Sequence, residues 1–205
     1  GGRSSRSRRL RAVLWLLLVI GVAGGTYLAT LYPGVGGRVN PGDSIKFQYI
    51  GAILGVPHEP GYPQYVLLNG LWSRLPLPGE LAWRVNLLSA VLMTLAGGLL
   101  WWALRRAGLQ GGVAALTCLT FLLATPVWTF ATEAEVHALQ MVWACGALLA
   151  VVHWLRRRTN ASLLIAVAVV AFSFGNHPFA VASCVGLAAV IVCVEPRALL
   201  RPRRA

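Results

Sequence analysis

Four short motifs hold most of the side chains in this sequence that are able to do chemistry. They are Gly42-Asp43, His58-Glu59-Pro60-Gly61-Tyr62-Pro63, Glu133-Ala134-Glu135-Val136-His137 and Gly175-Asn176-His177-Pro178. Their carboxylates and imidazoles are the usual groups of general acid and base catalysis. Ionisable groups are costly at membrane depth and tend to mark function there. The motifs therefore hold the candidate functional residues.

The rest of the sequence is strongly apolar. Hydrophobic residues make up 57% of the 205 residues and charged residues only 12%, against roughly 25% charged residues in soluble domains. This composition indicates a membrane protein. The net charge of +12 comes from 18 basic residues, nearly all Arg, in short runs between apolar segments. That placement is typical of charges that set membrane topology, and it argues against nucleic acid as a partner.

Six apolar segments predict an all-α fold, a polytopic transmembrane helical bundle of about six spans. The first is long enough to cross a hydrocarbon core of roughly 30 Å. The fifth and sixth are short, and the break before Pro178 predicts either a hairpin between two spans or a re-entrant pair over residues 163–194. The segments are Leu10–Tyr32, Val85–Leu104, Val113–Phe130, Val136–Leu155, Leu163–Phe174 and Phe179–Val194.

The arginine runs predict how these spans are oriented. Basic residues concentrate in cytosolic segments of membrane proteins, and five arginines stand before or at the start of the first span. Alternation from a cytosolic N-terminus places the other arginine runs in the cytosol, and all four polar motifs outside. The predicted domains are a basic cytosolic N-terminus (1–9), a membrane domain (10–195) and a truncated basic cytosolic tail (196–205). A cleaved signal peptide is the alternative for the first segment, but its apolar run is unusually long for one.

The outer loop, residues 33–84, is predicted to carry an interfacial helix. Tyr65, Leu68, Leu71, Trp72 and Leu75 recur at helical spacing in a stretch too short to span a membrane. Trp and other apolar side chains on one helix face favour the membrane interface.

The two motifs of this loop also have structural interpretations. Asp43 follows Pro41 and Gly42 and suits a turn or a helix N-cap. The proline-rich segment 58–63 is rigid, which suits a binding loop or a brace for the interfacial helix equally well.

The two later motifs are open to the same kind of interpretation. Thr132 is a plausible cap for the fourth span, and Glu133 and Glu135 are favourable near a helix N-terminus. Capping does not explain His137, which begins to enter the apolar region. A zinc site at His137 and His177 lacks a close-spaced ligand pair. No cofactor is therefore predicted, and a divalent metal is left open without support.

The order of the motifs along the chain resembles one membrane family. The matching residues are Gly42-Asp43, His58-x-Pro60-Gly61-Tyr62-Pro63, Arg84-x-Asn86-x-x-Ser89, Glu135-Val136-x-Ala138-Leu139 and Gly175-Asn176-His177. The family is the domain of unknown function 2723 family of transmembrane protein 260-like protein O-mannosyltransferases, within the GT-C glycosyltransferase superfamily. The resemblance covers residues 10–195, with departures at Glu59, His137 and Gln140. Its members are longer, which implies that this chain is an N-terminal fragment with a GT-C-like core.

The resemblance implies a glycosyltransferase that takes a sugar, mannose being one candidate, from a polyprenyl-phosphate donor. The acceptor is a hydroxyl of a protein or glycan on the non-cytosolic face, outside the plasma membrane if the source is bacterial. Asp43 is implied as the general base that takes the proton of this hydroxyl. Arg84, Asn176 or the histidines would face the leaving phosphate. The residues implied in substrate binding are His58, Glu59, Tyr62, Arg84, Glu133, Glu135, His137, Asn176 and His177.

Two other classes of function stay open. A transporter or channel would place polar or ionisable residues at mid-membrane in several spans, whereas spans two, three and six have almost none. A non-catalytic membrane scaffold leaves the polar loop unexplained.

Overall fold

The computed structural model describes residues 2–194, so Glu195 and the predicted tail, 196–205, lie outside the described residues. Every regular element in this range is an α-helix, which confirms the all-α prediction. The helices are α1 (Gly2–Ala29), α2 (Pro41–Ile50), α3 (Pro63–Ser73), α4 (Leu81–Ala107), α5 (Gly111–Leu122), α6 (Thr125–Thr132), α7 (Val136–Arg157), α8 (Asn160–Ser173) and α9 (Ala180–Val194).

Helix α4 is the centre of the bundle. It packs against α1, α5, α6 and α7, and also against the shorter helices α2 and α3. Its apolar face, which includes Val85, Leu88 and Met93, lies in the main core. A second, smaller core joins α7, α8 and α9 and consists mostly of alanine and valine. Small side chains let membrane helices approach closely, and this packing replaces the hydrophobic effect that lipid weakens.

Within the described residues, three helices are long and apolar enough to cross a membrane, namely residues Leu10–Ala29 of α1, the whole of α4 and the whole of α7. They match the first, second and fourth predicted spans. Helices α8 and α9 are apolar but have only 14 and 15 residues, or about 21–23 Å at a rise of about 1.5 Å per residue. Both alternatives for residues 163–194, two spans or a re-entrant pair, stay predictions.

The third predicted span, Val113–Phe130, does not form one straight helix and stays a prediction. Its residues form α5 and α6, which are bent by 71° at a short break. Pro126 explains the break, because it has no N–H to donate to the carbonyl of Leu122 four residues earlier. That carbonyl instead accepts a hydrogen bond of 2.7 Å from the Tyr27 hydroxyl of α1. This hydrogen bond therefore connects the bend between α5 and α6 to α1.

The predicted interfacial helix corresponds to α3. Leu71 of its apolar face is 68% exposed, as a residue that faces the membrane would be, whereas Tyr65 is buried. On the opposite, protein-facing side, the Asn69 amide donates a 2.7 Å hydrogen bond to the carbonyl of Phe47 in α2. This bond fastens α3 to α2, and the interfacial position of α3 stays a prediction.

The arginines in the last turns of α4 and α7 lie at the opposite end of the bundle from the polar motifs. At one end, Arg106 near the end of α4 and His153 near the end of α7 line the same groove. At the other end, the starts of the same two helices are joined, because the backbone N–H of Glu135 donates to the Ser89 hydroxyl over 3.2 Å. Helices α4 and α7 therefore run in the same direction, as the predicted alternation of spans requires.

Candidate functional site

Asp43 lies in the first turn of α2, where a carboxylate is favoured by the helix dipole. The helix begins at Pro41, so Asp43 is inside it and is not its N-cap. One carboxylate oxygen is 2.5 Å from the Lys46 ammonium, and the other accepts a 2.5 Å hydrogen bond from the Asn40 amide. The hydrogen bond from Lys46 has the largest effect on the pKa of Asp43 and lowers it. Partial burial raises this pKa and the hydrogen bond from Asn40 lowers it further, so the pKa stays below its usual value.

Lys46 also contacts His58, and this contact fixes the hydrogen-bond roles of the imidazole. The Lys46 Nζ is 3.1 Å from His58 Nδ1, and an ammonium is only a donor. His58 Nδ1 is therefore the acceptor, which leaves the imidazole proton on Nε2. That atom is 3.2 Å from the Tyr62 hydroxyl. Asp43, Lys46, His58 and Tyr62 thus form a continuous polar row.

The row continues through stacked rings to the two other histidines. The ring of Tyr62 stacks on His177, with centroids 5.5 Å apart and planes 16° from parallel. The ring centroids of His177 and His137 are 5.0 Å apart. The backbone N–H of Phe179 donates to His177 Nδ1 at 3.1 Å, and burial lowers the pKa of His177. Asp43, Lys46, His58, Tyr62, His177 and His137 are called the Asp43 cluster below.

Asn176 positions the histidines through its amide nitrogen, whereas its amide oxygen is buried and has no hydrogen-bond partner within the described residues. It is buried, and its amide nitrogen donates to the carbonyl of Val136 at 3.2 Å and to Gln140 at 3.1 Å. These bonds hold the turn between α8 and α9 against the start of α7. As a result, His177 on the turn lies beside His137 on α7.

Glu135 is a buried acid close to the cluster. It stands at the N-cap position of α7 but makes no side-chain capping bond. Within the described residues no hydrogen bond or ion pair reaches its carboxyl group. Burial, reinforced by the negative charges of Asp43 and Glu133, raises the pKa of Glu135 to about 8. Burial and then the charges of Asp43 and Glu135 also raise the pKa of Tyr62, against an opposing effect of Lys46.

Glu133 fastens the segment before α2 to the end of α6. Its carboxylate accepts a 2.7 Å hydrogen bond from the backbone N–H of Arg38 and a 3.4 Å bond from the Ser44 hydroxyl. Gly37 makes room for it, since a Cβ atom there would lie 2.5 Å from the nearer Glu133 oxygen. The suggested cap at Thr132 is wrong, because its hydroxyl donates to a carbonyl of its own helix α6. Glu133 therefore positions Asp43 through α2.

The structure does not bring Glu59 or Arg84 into the cluster. Glu59 is exposed and has no hydrogen bond or ion pair within the described residues. The Arg84 guanidinium donates to the carbonyl of Leu75 at 3.0 Å, and its own carbonyl accepts a bond from Trp72. Arg84 thus holds the turn between α3 and α4, and substrate binding by Glu59 and Arg84 stays a prediction.

Metal ligation was left open by the sequence. Among residues 2–194 no group of three or more His, Cys, Asp and Glu side chains is arranged to hold a metal ion. The histidines of the cluster contact rings, backbone and hydroxyl groups instead.

Comparison with known proteins shows the family of the chain. The family model described as the Protein O-mannosyl-transferase TMEM260 N-terminal domain matches residues 43–199. The chain belongs to this family. It is also 32% identical over 163 residues to the protein O-mannosyl-transferase TMEM260 of Mus musculus. The match covers 78% of this chain and 22% of that protein, so the chain spans about a fifth of the relative's length. No solved structure matches it.

Membership in the TMEM260 N-terminal family confirms the resemblance seen in the motifs, and with the apolar helices it supports an integral, multi-pass membrane protein. Sequence reasoning nevertheless missed Lys46 in this domain. The signal was available, because Asp43 and Lys46 are three residues apart and share one face of a helix. Lys46 is also the single lysine of the chain.

A second omission in the TMEM260-family domain is the amide pair that supports α2. The buried Gln48 side chain donates to Asn86 at 3.0 Å and to the carbonyl of Gly36 at 2.9 Å, and it accepts from the Gly36 N–H. Asn86 donates in turn to the carbonyl of Tyr32. Asn86 belonged to a motif, but nothing in the sequence linked it to Gln48. This network fixes α2, and with it Asp43, against α4.

Proposed function

We propose that this chain is the N-terminal part of a GT-C-type glycosyltransferase that moves a sugar from a polyprenyl-phosphate donor to a hydroxyl of a protein acceptor. The observation that carries the proposal is the Asp43 cluster, a carboxylate beside a cation and three imidazoles, in a chain of the TMEM260 N-terminal family. Mannose is the proposed sugar because the mouse relative is named a protein O-mannosyl-transferase.

Asp43 is the proposed general base. A neutral hydroxyl is a weak nucleophile, and a positioned carboxylate that takes its proton contributes roughly 10²–10⁴-fold to the rate. The acceptor oxygen then attacks the anomeric carbon, and the bond from this carbon to the phosphate oxygen breaks. Positive charge develops on the sugar ring in this step, so a nearby carboxylate also stabilises the transition state.

The non-cytosolic face is the proposed side of the reaction. The polar motifs lie at the bundle end away from Arg106 and the other arginines that follow α4 and α7. Arginines concentrate on the cytosolic side of membrane proteins. This distribution supports a cluster that opens away from the cytosol, where a polyprenyl-phosphate sugar presents its head group.

The position of the cluster favours an enzyme over the two alternatives. A transport pathway would need polar groups through the middle of the bundle, whereas the cluster lies at one end, where α2 and α3 cover the start of α4. A scaffold has no use for a part-exposed carboxylate such as Asp43 next to histidines. The transferase is therefore the function that the geometry supports best.

The test of the proposed function is a transfer assay with full-length protein in detergent. Peptides that contain Ser and Thr serve as acceptors, and radiolabelled mannose is supplied either on a polyprenyl phosphate or on a nucleotide. The proposal expects label in the peptide from the lipid donor alone. Transfer from the nucleotide sugar, or no transfer from either donor, would overturn it.

A further inference from the structure

We infer that Lys46 is the cation that binds the phosphate of the donor, and that it leaves Asp43 to do so. Donor binding would then free the base at the moment it is needed. The inference rests on the proposed function and adds to it a phosphate-binding residue and a switch.

Asp43 is not free to act as a base in this structure. Both of its carboxylate oxygens are engaged, one by the Lys46 ammonium and the other by the Asn40 amide. A carboxylate that is stabilised by a hydrogen-bonded cation binds a proton less tightly. For Asp43 to take a proton from the acceptor, its contact with Lys46 must weaken.

Few cationic side chains among the described residues are available to the leaving phosphate. The leaving phosphate needs positive charge or hydrogen-bond donors. The Arg38 guanidinium donates to Thr132 and to the carbonyl of Thr30, and Arg84 is held by Leu75. In the part of the chain that the structure describes, Lys46 is the one cationic side chain that contacts the Asp43 cluster.

The Lys46 side chain is able to move. Its side chain is 37% exposed, and an ammonium on four flexible carbons is a mobile point charge. It already contacts His58 Nδ1 at 3.1 Å, and this nitrogen lies 3.7 Å from the Asp43 oxygen that Lys46 contacts. A phosphate that enters beside His58 would therefore meet Lys46 without any movement of the backbone.

Charge moves during the reaction in the direction that this exchange requires. The acceptor proton passes to Asp43, which becomes neutral. The electron pair of the broken bond passes to the phosphate oxygen, which gains negative charge. The attraction of Lys46 for Asp43 therefore falls as its attraction for the phosphate rises, and such an interaction stabilises the transition state more than the ground state. Asp43 later returns its proton to water.

The titratable groups that face Asp43 are few. Lys46 is on its own helix, His58 on the loop after α2, Tyr62 at the start of α3 and Glu135 at the start of α7. Lys46 lowers the pKa of Asp43 the most. Loss of the Lys46 contact is therefore the event that changes the basicity of Asp43.

A binding cycle tests the exchange without any need for turnover. Farnesyl phosphate, a short polyprenyl phosphate, is titrated into full-length wild-type protein, Asp43→Asn, Lys46→Gln and the double variant. Lys46→Gln is expected to weaken binding about tenfold, as for the loss of a hydrogen bond to a charged group. Asp43→Asn is expected to tighten it about threefold to fivefold, the strength of a part-exposed ion pair, because Lys46 no longer has to leave a carboxylate.

The decisive comparison is the effect of Asp43→Asn in the two backgrounds. If Lys46 exchanges partners, the gain in affinity shrinks to less than about twofold when residue 46 is Gln. An equal gain in both backgrounds would mean simple repulsion by Asp43 and would overturn the inference. Lys46→Arg keeps the charge and is the control for a folding defect in Lys46→Gln. It is expected to retain most of the affinity for farnesyl phosphate.

Turnover separates this inference from the proposed function. In the transfer assay, Lys46→Gln is expected to raise the donor KM and lower kcat. The matched control Arg74→Gln, whose guanidinium bonds the carbonyl of Gly70 and no other group among residues 2–194, is expected to change neither. An active wild type with an unchanged Lys46→Gln variant would overturn the role of Lys46 alone. A wild type that transfers no sugar from a lipid donor would overturn the proposed function, and the inference with it.

Discussion

Replacement of Gly37 by Ala should loosen the part of the fold that positions Asp43. A Cβ atom at Gly37 would lie 2.5 Å from a Glu133 carboxylate oxygen and 2.6 Å from the Ser44 hydroxyl. Carbon and oxygen do not approach that closely, so Glu133 or α2 must move. Glu133 is 1% exposed, and no water replaces the bonds that it loses.

The expected cost has two parts. Overpacking of a well-packed site costs about 1–3 kcal/mol. Loss of the hydrogen bond from the Arg38 N–H to the buried Glu133 carboxylate adds about 1.5–3 kcal/mol. Because partial relaxation relieves the overlap at the expense of the hydrogen bond, the two parts do not add in full, and we expect a total of about 2–4 kcal/mol.

The matched control is Gly34→Ala in the same loop. A Cβ atom at Gly34 meets nothing within 4 Å, so its effect should stay within about 0.5 kcal/mol. The assay is unfolding of the purified protein by titration with SDS in mixed micelles, followed by tryptophan fluorescence. Equal free energies of unfolding for the two variants would refute the account of Gly37 and Glu133.

Three further variants test the site. Gly70→Ala places a Cβ atom 2.8 Å from the backbone carbonyl of Gly51, so it should separate α3 from α2 and cost about 1–3 kcal/mol in the same titration. Glu135→Gln should match the stability of wild type near pH 4 and be more stable than wild type at pH 8. The pKa of Glu135 is raised to about 8 in the folded protein, so the unfolded state loses this proton at a lower pH than the folded state does. Wild-type stability therefore falls between about pH 4.5 and 8. Free energies of unfolding that change in parallel with pH for the two proteins would contradict this. Tyr62→Phe should cost only about 1 kcal/mol, since it loses the bond to His58 but keeps the stacking on His177. If Tyr62→Phe lowered the free energy of unfolding as much as Tyr62→Ala does, the stabilising contact would be that of the hydroxyl and not the ring stacking.

The sequence was sufficient for the parts of the fold that depend on local chemistry. Long apolar runs predicted α1, α4 and α7, and Pro178 marked the turn between α8 and α9. The bend between α5 and α6 was equally local, because Pro126 stands four residues after the carbonyl that it fails to satisfy. It was missed because hydropathy alone does not distinguish a straight helix from a broken one.

Contacts between distant residues were beyond sequence reasoning. Five of the predicted residues meet in the Asp43 cluster, but the order of motifs did not reveal which ones. Arg84 was a candidate for the phosphate, yet its guanidinium is bonded to Leu75 in the turn before α4, and Lys46 stands beside Asp43 instead. The bond from Asn69 to Phe47 was not predicted for the same reason, since it depends on how α2 and α3 pack.

The central claim is that Asp43 is the base of a sugar transfer. The most direct measurement is kcat of full-length protein at saturating polyprenyl-phosphate donor for wild type, Asp43→Asn and the control Glu80→Gln, an exposed acid between α3 and α4. The account predicts that Asp43→Asn lowers kcat by roughly 10²–10⁴-fold with unfolding unchanged, and that Glu80→Gln keeps the wild-type rate. A folded Asp43→Asn variant that retains more than about a tenth of the wild-type kcat would contradict it.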